Sequence, residues 1–518
     1  MLKYKKYFFV CFVICVFAYS VQIVNGCTNV WDGLWVGSYH VGYKWCIQIG
    51  RWFWPFISVG RLSIAAEPFT SLLTVALYVL SGCLILSLFD LRDAKAAYLA
   101  LLSLGINTVV CISLSYRFMS PTFGCSVLLS VLSIWIMSRK TGWWAWALAA
   151  AALTLALGAY QASVGCAAVL FLAQVMALLL RQKPWKEILS FVLRTLAVFL
   201  AACILYKLLW DFSLSILHLE AAAYRGADRL TISHLLTGLP RRIADAYQEF
   251  FRYFTGRSFL HNIYQHLVLY RAAAAAFALF SLLPAVKCFR AGKGRAALVL
   301  LCLLALPLAA NVCLLMAPDA GGMDIQMSFS LAMIGPVLLC VYCQPEAAGG
   351  MAKGNRPEKR GFLFYLTQYG PLALISLVLA GSFLQVSVDQ HTMLHGRETT
   401  LAFMNRVTAS LEAKNLIPTE NEIVFLGRPA DNPLFKKDEL WDLSNDRARY
   451  GDLPISNDNS VASYSGVLRD GGFDLPLVSD GSLWHEIENK PESRALPVYP
   501  AEGFCQVIDR YLVVKVSE

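Results

Sequence analysis

One apolar run decides the fold class of this chain: residues 68–90 read PFTSLLTVALYVLSGCLILSLFD, with a single charge at Asp90. About 20 apolar residues are enough for a helix to cross the hydrocarbon core of a bilayer. The chain holds several such runs, and 15% of its 518 residues are charged. Soluble domains carry roughly 25% charged residues. The sequence therefore predicts a polytopic α-helical membrane protein.

Eleven membrane helices can be counted along the chain. They are expected at about 7–24, 68–90, 96–116, 120–137, 143–159, 163–180, 188–209, 265–286, 296–316, 325–343 and 362–385. The fifth and sixth helices are separated only by Gly158-Ala159-Tyr160-Gln161-Ala162, where the polar Gln161 favours a turn.

Lysine and arginine gather in alternate loops, which the positive-inside rule assigns to the cytoplasm. These loops explain the net charge of +9 without nucleic-acid binding, so no nucleic-acid partner is predicted. The N-terminus is expected inside and the C-terminal tail outside. Arg117 is the exception, a basic residue in a short outward loop.

Three long segments are then expected to face outward: about 25–67, about 210–264 and the tail 386–518. In the second segment, an apolar pattern from Ile232 to Phe254 predicts an amphipathic helix, and Pro240 predicts the start of another. The helix either lies on the membrane surface, with Arg241 and Arg242 on its polar side, or packs on the protein itself.

The tail is rich in Asp, Asn, Pro and Gly, which predicts a small extracytoplasmic α/β domain at 386–518 beside a membrane domain at 1–385. Its pattern predicts a helix around 401–411, a strand at 422–427, and a hairpin of 503–508 with 511–516. No nucleotide-binding or hydrolase motif occurs there, so the tail is expected to carry no chemistry of its own.

The candidate catalytic carboxylate is Asp32, which lies just after the first helix between Trp31 and Trp35. Aromatic neighbours lower the local dielectric and raise the pKa of a carboxyl group, which makes it a usable base. The alternative is a solvated Asp within an interfacial belt of aromatics. Glu67 is a second, weaker carboxylate candidate.

Gly50-Arg51-Trp52 follows in the same loop. The planar fork of arginine suits phosphate, and the face of tryptophan suits a sugar ring. An ordinary interfacial Arg–Trp pair is the alternative. Arg225 is a further candidate for a lipid phosphate, although binding to anionic headgroups in general is simpler.

Tyr160 and Gln161 either face a cavity or cap a helix, with capping favoured, and Asp319 and Asp324 lie in a glycine-rich outward loop. The outer loops hold no compelling cluster of metal ligands, so no metal site and no cofactor is assigned, and metal dependence stays open. A disulfide among the cysteines outside the membrane cannot be assigned from sequence; these are Cys27, Cys46 and Cys505.

The order of these features resembles the GtrII-type membrane glucosyltransferases, which modify O-antigen and other surface polysaccharides. The resemblance rests on Trp31-Asp32-Gly33, Gly50-Arg51-Trp52-Phe53-Trp54-Pro55, Gly158-Ala159-Tyr160-Gln161, Leu496-Pro497-Val498-Tyr499-Pro500, Gly503-Phe504 and Leu512-Val513-Val514-Lys515-Val516. Many relatives carry paired acidic residues in the first loop, where this chain has Trp31-Asp32.

The resemblance implies a GT-C type architecture in a bacterial inner membrane and a polyprenyl-phosphate sugar donor, with glucose the expected sugar. A surface polysaccharide would be the acceptor, and a flippase and a polyprenyl-phosphate glucosyl synthase would act upstream. In an inverting displacement Asp32 would be the base, while Arg51 or an arginine of the second loop would stabilise the leaving phosphate. Acceptor sugars could stack on Trp35, Trp52 or Trp54.

Two other functions stay open at this point. A flippase for lipid-linked sugars would place ionisable residues across the membrane midplane. Here Arg194 is the main charge inside a helix, and it lies toward the cytoplasmic end. A polysaccharide polymerase or ligase would share the topology and transfer a whole oligosaccharide.

Overall fold

The computed structural model describes residues 2–28, 33–34, 43–226, 232–255, 267–316, 322–344, 362–436, 455 and 460–518. Up to residue 413 the described chain is mostly helical. Its helices are α1 (Lys5–Ala18), α2 (Ser20–Asn25), α3 (Tyr43–Gln48), α4 (Trp54–Gly60), α5 (Phe69–Leu88), α6 (Ala94–Gly105), α7 (Thr108–Ser115), α8 (Ser120–Arg139), α9 (Trp143–Ala159), α10 (Val164–Leu180), α11 (Trp185–Ile216), α12 (Ile232–Thr255), α13 (Leu267–Phe280), α14 (Leu283–Ala291), α15 (Lys293–Ala310), α16 (Cys313–Met316), α17 (Phe329–Ala332), α18 (Ile334–Tyr342) and α19 (Phe362–Ala413).

Several of these helices can span a membrane. Within the described ranges, seven are long and apolar enough: Phe69–Leu88, Ala94–Ser115, Ser120–Arg139, Gln161–Leu180, Trp185–Ile216, Lys293–Ala310 and Leu366–Ala413. Three apolar helices are shorter: Trp143–Ala159, Arg271–Val286 and Phe329–Tyr342. The chain is therefore a mostly helical membrane protein, while the count of eleven spans stays a prediction.

Two expected spans are interrupted. The first divides at Tyr19 into α1 and α2, and Gln390 satisfies the backbone at this break. Its Oε1 accepts from the Gln22 amide at 3.0 Å, and its Nε2 donates to the Ala18 carbonyl at 2.8 Å. The third divides before Asn107, whose side chain caps α7 by accepting from two backbone amides.

The turn between the fifth and sixth expected spans is present. A single 3₁₀ turn, Gln161–Ser163, separates α9 from α10. Helix α11 is longer than expected and reaches Ile216, with leucines such as Leu200 and Leu208 exposed on its outer face. Such apolar exposure is normal for a helix that faces lipid.

Helix α12 corrects the expectation that Pro240 starts a new helix, because it runs through Pro240 without a break. Hydrogen bonds with Asn311 and Leu315 hold the part of the helix that follows Pro240. Asn311 donates to the Ala246 carbonyl at 2.8 Å, and Arg242 donates to the Leu315 carbonyl at 3.3 Å. Arg242 is buried rather than on a polar face. The helix therefore packs on the protein.

Basic residues bind helix ends at one end of the bundle. Arg181 donates to the Phe89 carbonyl at 3.2 Å, and Arg295 donates to the Lys183 carbonyl at 2.9 Å. Lys3 forms an ion pair with Asp90 at the same end. These residues belong to the loops that the sequence assigns to the cytoplasm.

The tail forms a second hydrophobic core. Its elements are β1 (Glu422–Leu426), α20 (Ser460–Asp470), α21 (Gly481–Glu488), α22 (Pro491–Ala495), β2 (Cys505–Ile508) and β3 (Tyr511–Lys515). The sheet order is β1-β3-β2, with β1 parallel and β2 antiparallel to β3. The strands agree with the predicted strand and hairpin.

Helix α19 joins the bundle to the tail without interruption. It has 52 residues, so it includes both the predicted last span and the helix predicted around 401–411. The predicted boundary between residues 385 and 386 therefore lies inside a helix, and the division into two domains stays a prediction.

Candidate active site

The loop between α3 and α4 holds Arg51 in one position. The Arg51 amide donates to the Cys46 carbonyl at 2.7 Å, and the Phe53 amide donates to the Gly158 carbonyl at 2.8 Å. Gly50 adopts φ +83, a left-handed conformation that glycine accepts without strain. The loop is thereby fixed to the end of α9.

Gln161 secures the same loop from the side. Its Nε2 donates to the Ile49 carbonyl at 2.8 Å and to the Tyr206 hydroxyl at 3.1 Å. The N-cap of the 3₁₀ turn is Tyr160, whose side chain forms no capping hydrogen bond. The amide of Gln161 thus binds the Arg51 loop, and the capping role stays a prediction.

The guanidinium of Arg51 lies among aromatic rings. Its Cζ is 4.9 Å from the centroid of the Tyr160 ring and 6.0 Å from that of Tyr224. Its Nη1 is 3.8 Å from Met119 Sδ, and its Nε is buried without a hydrogen-bond partner. Rings stabilise a cation through their faces but leave its N–H donors unused. Among the described residues, no carboxylate pairs with Arg51.

The guanidinium of Arg225 also lies near Tyr224, with its Cζ 5.5 Å from the centroid of that ring. It forms an ion pair with Asp324 and contacts Met327 Sδ at 3.2 Å. Its side chain is 20% exposed. We call Arg51, Tyr160, Tyr224 and Arg225 the arginine–tyrosine cluster. It brings together the first loop, the α9–α10 turn and the second loop.

Burial raises the pKa of Tyr160 above its ordinary value, while the nearby Arg51 lowers it. The phenol therefore stays neutral at physiological pH. Tyr160 also lines a small cavity beside the arginine–tyrosine cluster, together with Phe123, Gln326 and Met327. Gln326 Oε1 is buried there without a partner, and a role of Tyr160 in facing a ligand cavity stays a prediction.

Trp52 is a correction to the expected site. Its indole is only 7% exposed, and its ring lies so close to Gly158 that an added Cβ would come within 2.6 Å of it. Trp54 is 1% exposed and contacts the Phe118 ring. Because both faces are covered by protein, a sugar cannot stack on either ring, and we leave Trp52 and Trp54 out of the site.

Glu67 lies just before the first residue of α5. Its Oε2 accepts from the Ser71 amide at 3.1 Å, and its Oε1 is buried without a partner. Burial raises the pKa of Glu67 above its ordinary value. Burial also lowers the pKa of the nearby Arg117. The charge of Arg117 interacts electrostatically with Asp470, Arg397 and Glu67. Sequence reasoning noted Arg117 as an exceptional charge but gave it no role.

Two predicted residues of the first loop, Asp32 and Trp35, lie outside the described residues, as does Asp319. Leu34, two positions after Asp32, is described and is only 2% exposed. It belongs to the hydrophobic core of the tail rather than to that of the bundle. The tail therefore contacts the loop that carries the predicted base.

Metal ligands are not clustered in the described part of the chain. There, no three His, Cys, Asp or Glu side chains come close enough together to hold a metal ion.

Comparison with known proteins identifies a family whose model matches this chain. The model of the family described as Glucosyl transferase GtrII matches residues 38–340, more than half of the chain. The match includes Arg51, Tyr160, Arg225 and Asp324; it begins after Asp32 and ends before the tail. No curated protein and no solved structure matches the chain.

Proposed function

Because the chain belongs to the GtrII glucosyl transferase family, and is therefore a membrane glucosyltransferase of surface-polysaccharide modification, we propose that its donor is a polyprenyl-phosphate glucose. The reaction would take place at the outer face of a bacterial inner membrane. The observation that carries this proposal is the arginine–tyrosine cluster, which gathers positive charge at the bundle end opposite the Lys3–Asp90 pair.

The donor argument rests on charge. The donor phosphodiester carries one negative charge, and the departing lipid phosphate carries two, so negative charge grows during the reaction. A preorganised cation with free N–H donors stabilises such a transition state. Arg51 fits this role better than Arg225, because Arg225 already forms an ion pair with Asp324.

The proposed reaction is one in-line displacement. Asp32 takes the proton from an acceptor hydroxyl, and that oxygen bonds to the anomeric carbon of glucose. The bond from the anomeric carbon to the phosphate oxygen breaks, and the lipid phosphate leaves with the electron pair. A single displacement inverts the anomeric configuration. Tyr160, neutral and fixed against Arg51, orients the guanidinium toward the phosphate.

The orientation proposal has its own support. The basic residues that bind helix ends, among them Arg181 and Arg295, all belong to loops with the positive-inside signature. The arginine–tyrosine cluster and the tail would then lie outside. A protease added to intact spheroplasts should cleave the tail, and protection of the tail until the cells are lysed would reverse the orientation.

The donor can be tested with purified protein. Labelled glucose on a polyprenyl phosphate should be transferred to cell-envelope glycan, whereas labelled nucleotide glucose should not. Asp32→Asn should lower the transfer rate by roughly 10²- to 10⁴-fold, the usual contribution of a general base. The exposed Asp474→Asn is the matched control. Transfer from the nucleotide sugar, or a wild-type rate in Asp32→Asn, would contradict the proposal.

The phosphate role of Arg51 has a separate test. Arg51→Gln should lower kcat by about 10²- to 10³-fold, as loss of one transition-state donor does. Arg241→Gln, which removes an exposed arginine, should leave kcat unchanged. Transfer of a whole oligosaccharide rather than one glucose would favour the polymerase or ligase. Lipid-linked sugar crossing the membrane without transfer would favour the flippase.

A further inference from the structure

The tail contacts the first loop at two places that lie on either side of Asp32 in the sequence. Before it, Arg397 Nη1 donates to the Asn25 carbonyl at 3.1 Å. After it, Arg469 Nη2 donates to the Leu34 carbonyl. Arg397 is on α19, and Arg469 is near the end of α20.

One carboxylate joins the two arginines. Asp470 Oδ2 is 3.3 Å from Arg397 Nη2, and Asp470 Oδ1 is 4.0 Å from Arg469 Nε. The side chain of Asp470 is 15% exposed and that of Arg397 is 21% exposed, so this pair is largely shielded from solvent, whereas the Arg469 side chain is 44% exposed. Shielded ion pairs are screened by salt much less than surface pairs.

Leu34 is also held by close backbone packing. A Cβ on Gly466 would come within 2.7 Å of both the Leu34 Cβ and the Leu34 carbonyl oxygen. Only glycine lets α20 approach this closely. Leu34 is 2% exposed and packs with the tail core, so the residue two positions after Asp32 is buried in the tail.

We propose that Arg397, Asp470 and Arg469 form a clamp through which the tail positions the first loop, and with it Asp32, for transfer. These are positioning residues, since they act on Asn25 and Leu34 rather than on substrate. The inference rests on the proposed function for the role of Asp32. The tail thereby gains a task in catalysis without a reactive group of its own.

The clamp can first be measured without activity. Hydrogen–deuterium exchange of peptides from 25–42 should accelerate at least tenfold in Asp470→Asn. The control is Asp431→Asn, which breaks an ion pair with Arg428 in the tail away from the first loop. Equal exchange in wild type and Asp470→Asn would overturn the proposal, whatever the protein transfers.

Kinetics then separate positioning from mere folding. Asp470→Asn should lower kcat about 10- to 100-fold, because a misplacement of about 1 Å can reduce a rate 100-fold. The KM for the lipid donor should stay within twofold, because Arg51 is held independently of the tail. Asp470→Glu should restore part of kcat. A change in KM alone would refute positioning of the base.

A second variant covers the case in which Asp470→Asn fails to fold. Gly466→Ala favours the helical state of α20 yet pushes against Leu34, so it should lower kcat while the tail stays folded. Gly481→Ala is the matched control, since its Cβ would meet nothing within 4 Å. If wild type transfers no glucose but loop exchange responds to Asp470→Asn, the proposed function fails and the clamp stands.

Discussion

Gly50 offers the sharpest prediction about the Arg51 loop. In Gly50→Ala the new Cβ would overlap the Tyr206 hydroxyl and lie 2.8 Å from Gln161 Nε2, at a φ of +83. A left-handed backbone at a non-glycine residue costs about 1–2 kcal/mol. Overpacking of a filled interior costs about 1–3 kcal/mol more. Together they predict a loss of about 2–5 kcal/mol in the free energy of unfolding.

The steric and conformational parts can be separated. Tyr206→Phe removes the oxygen that the Cβ meets, so Gly50→Ala in that background should be less destabilising, with the φ term remaining. Tyr206→Phe alone should cost about 1 kcal/mol, for the hydrogen bond from Gln161.

The assay is unfolding by SDS titration in mixed micelles, followed by circular dichroism. The control is Gly60→Ala, at the end of α4, where a Cβ would meet nothing within 4 Å. Equal stability of Gly50→Ala and Gly60→Ala would refute the reasoning. It would mean that the loop is free to move away from Tyr206 and does not fix Arg51.

Three further predictions concern charge and polar burial. A double-mutant cycle of Arg225→Gln with Asp324→Asn should give a coupling of about 1 kcal/mol or less that falls with added salt, since the side chains are 20% and 44% exposed; a large coupling insensitive to salt would contradict this. Burial raises the pKa of Glu67, because it disfavours the charged carboxylate. The stability that the protonated carboxyl contributes is therefore fully present below the ordinary pKa of 4.5 and is lost as the pH rises through the raised pKa. The melting temperature should fall across this pH range in wild type and not in Glu67→Gln. The same pH dependence of the melting temperature in both proteins would contradict the prediction. Asn432→Ala should lower tail stability by about 3 kcal/mol in thermal unfolding, because Nδ2 donates to two buried carbonyls at 2.7 Å; a loss below 1 kcal/mol would show that water replaces the amide.

Hydropathy predicted most helix positions but not where the helices break or join. The division of the first span at Tyr19 depends on Gln390, which is 368 residues away from Gln22 in the sequence. Residues 386–400 look too polar for a span, yet Gln390 satisfies its polar groups on the first helices. Such partners are set by tertiary contacts, which a local pattern does not contain.

The sequence allowed the residues of the candidate site to be selected, but it did not show which of them contact one another. Arg51, Tyr160 and Arg225 were each selected from separate loops, and the fold places them around Tyr224. The predicted stacking of a sugar on Trp52 is not met, because the indole packs against Gly158, 106 positions later in the sequence, which leaves room for it. The tail clamp was missed because Arg397 and Asp470 lie in segments that look like ordinary polar surface.

The length of α19 links the enzyme to the physical state of its membrane. At 1.5 Å per residue, its 52 residues extend about 78 Å, whereas the hydrocarbon core is about 30 Å thick. Much of α19 therefore lies outside the hydrocarbon core, and its apolar part tilts where that part is longer than the local bilayer is thick. Because α19 is one continuous helix, such a tilt would displace its C-terminal part, which includes Arg397. The thickness of the bilayer would then affect the position of the first loop, although the lipid contacts α19 far from any substrate.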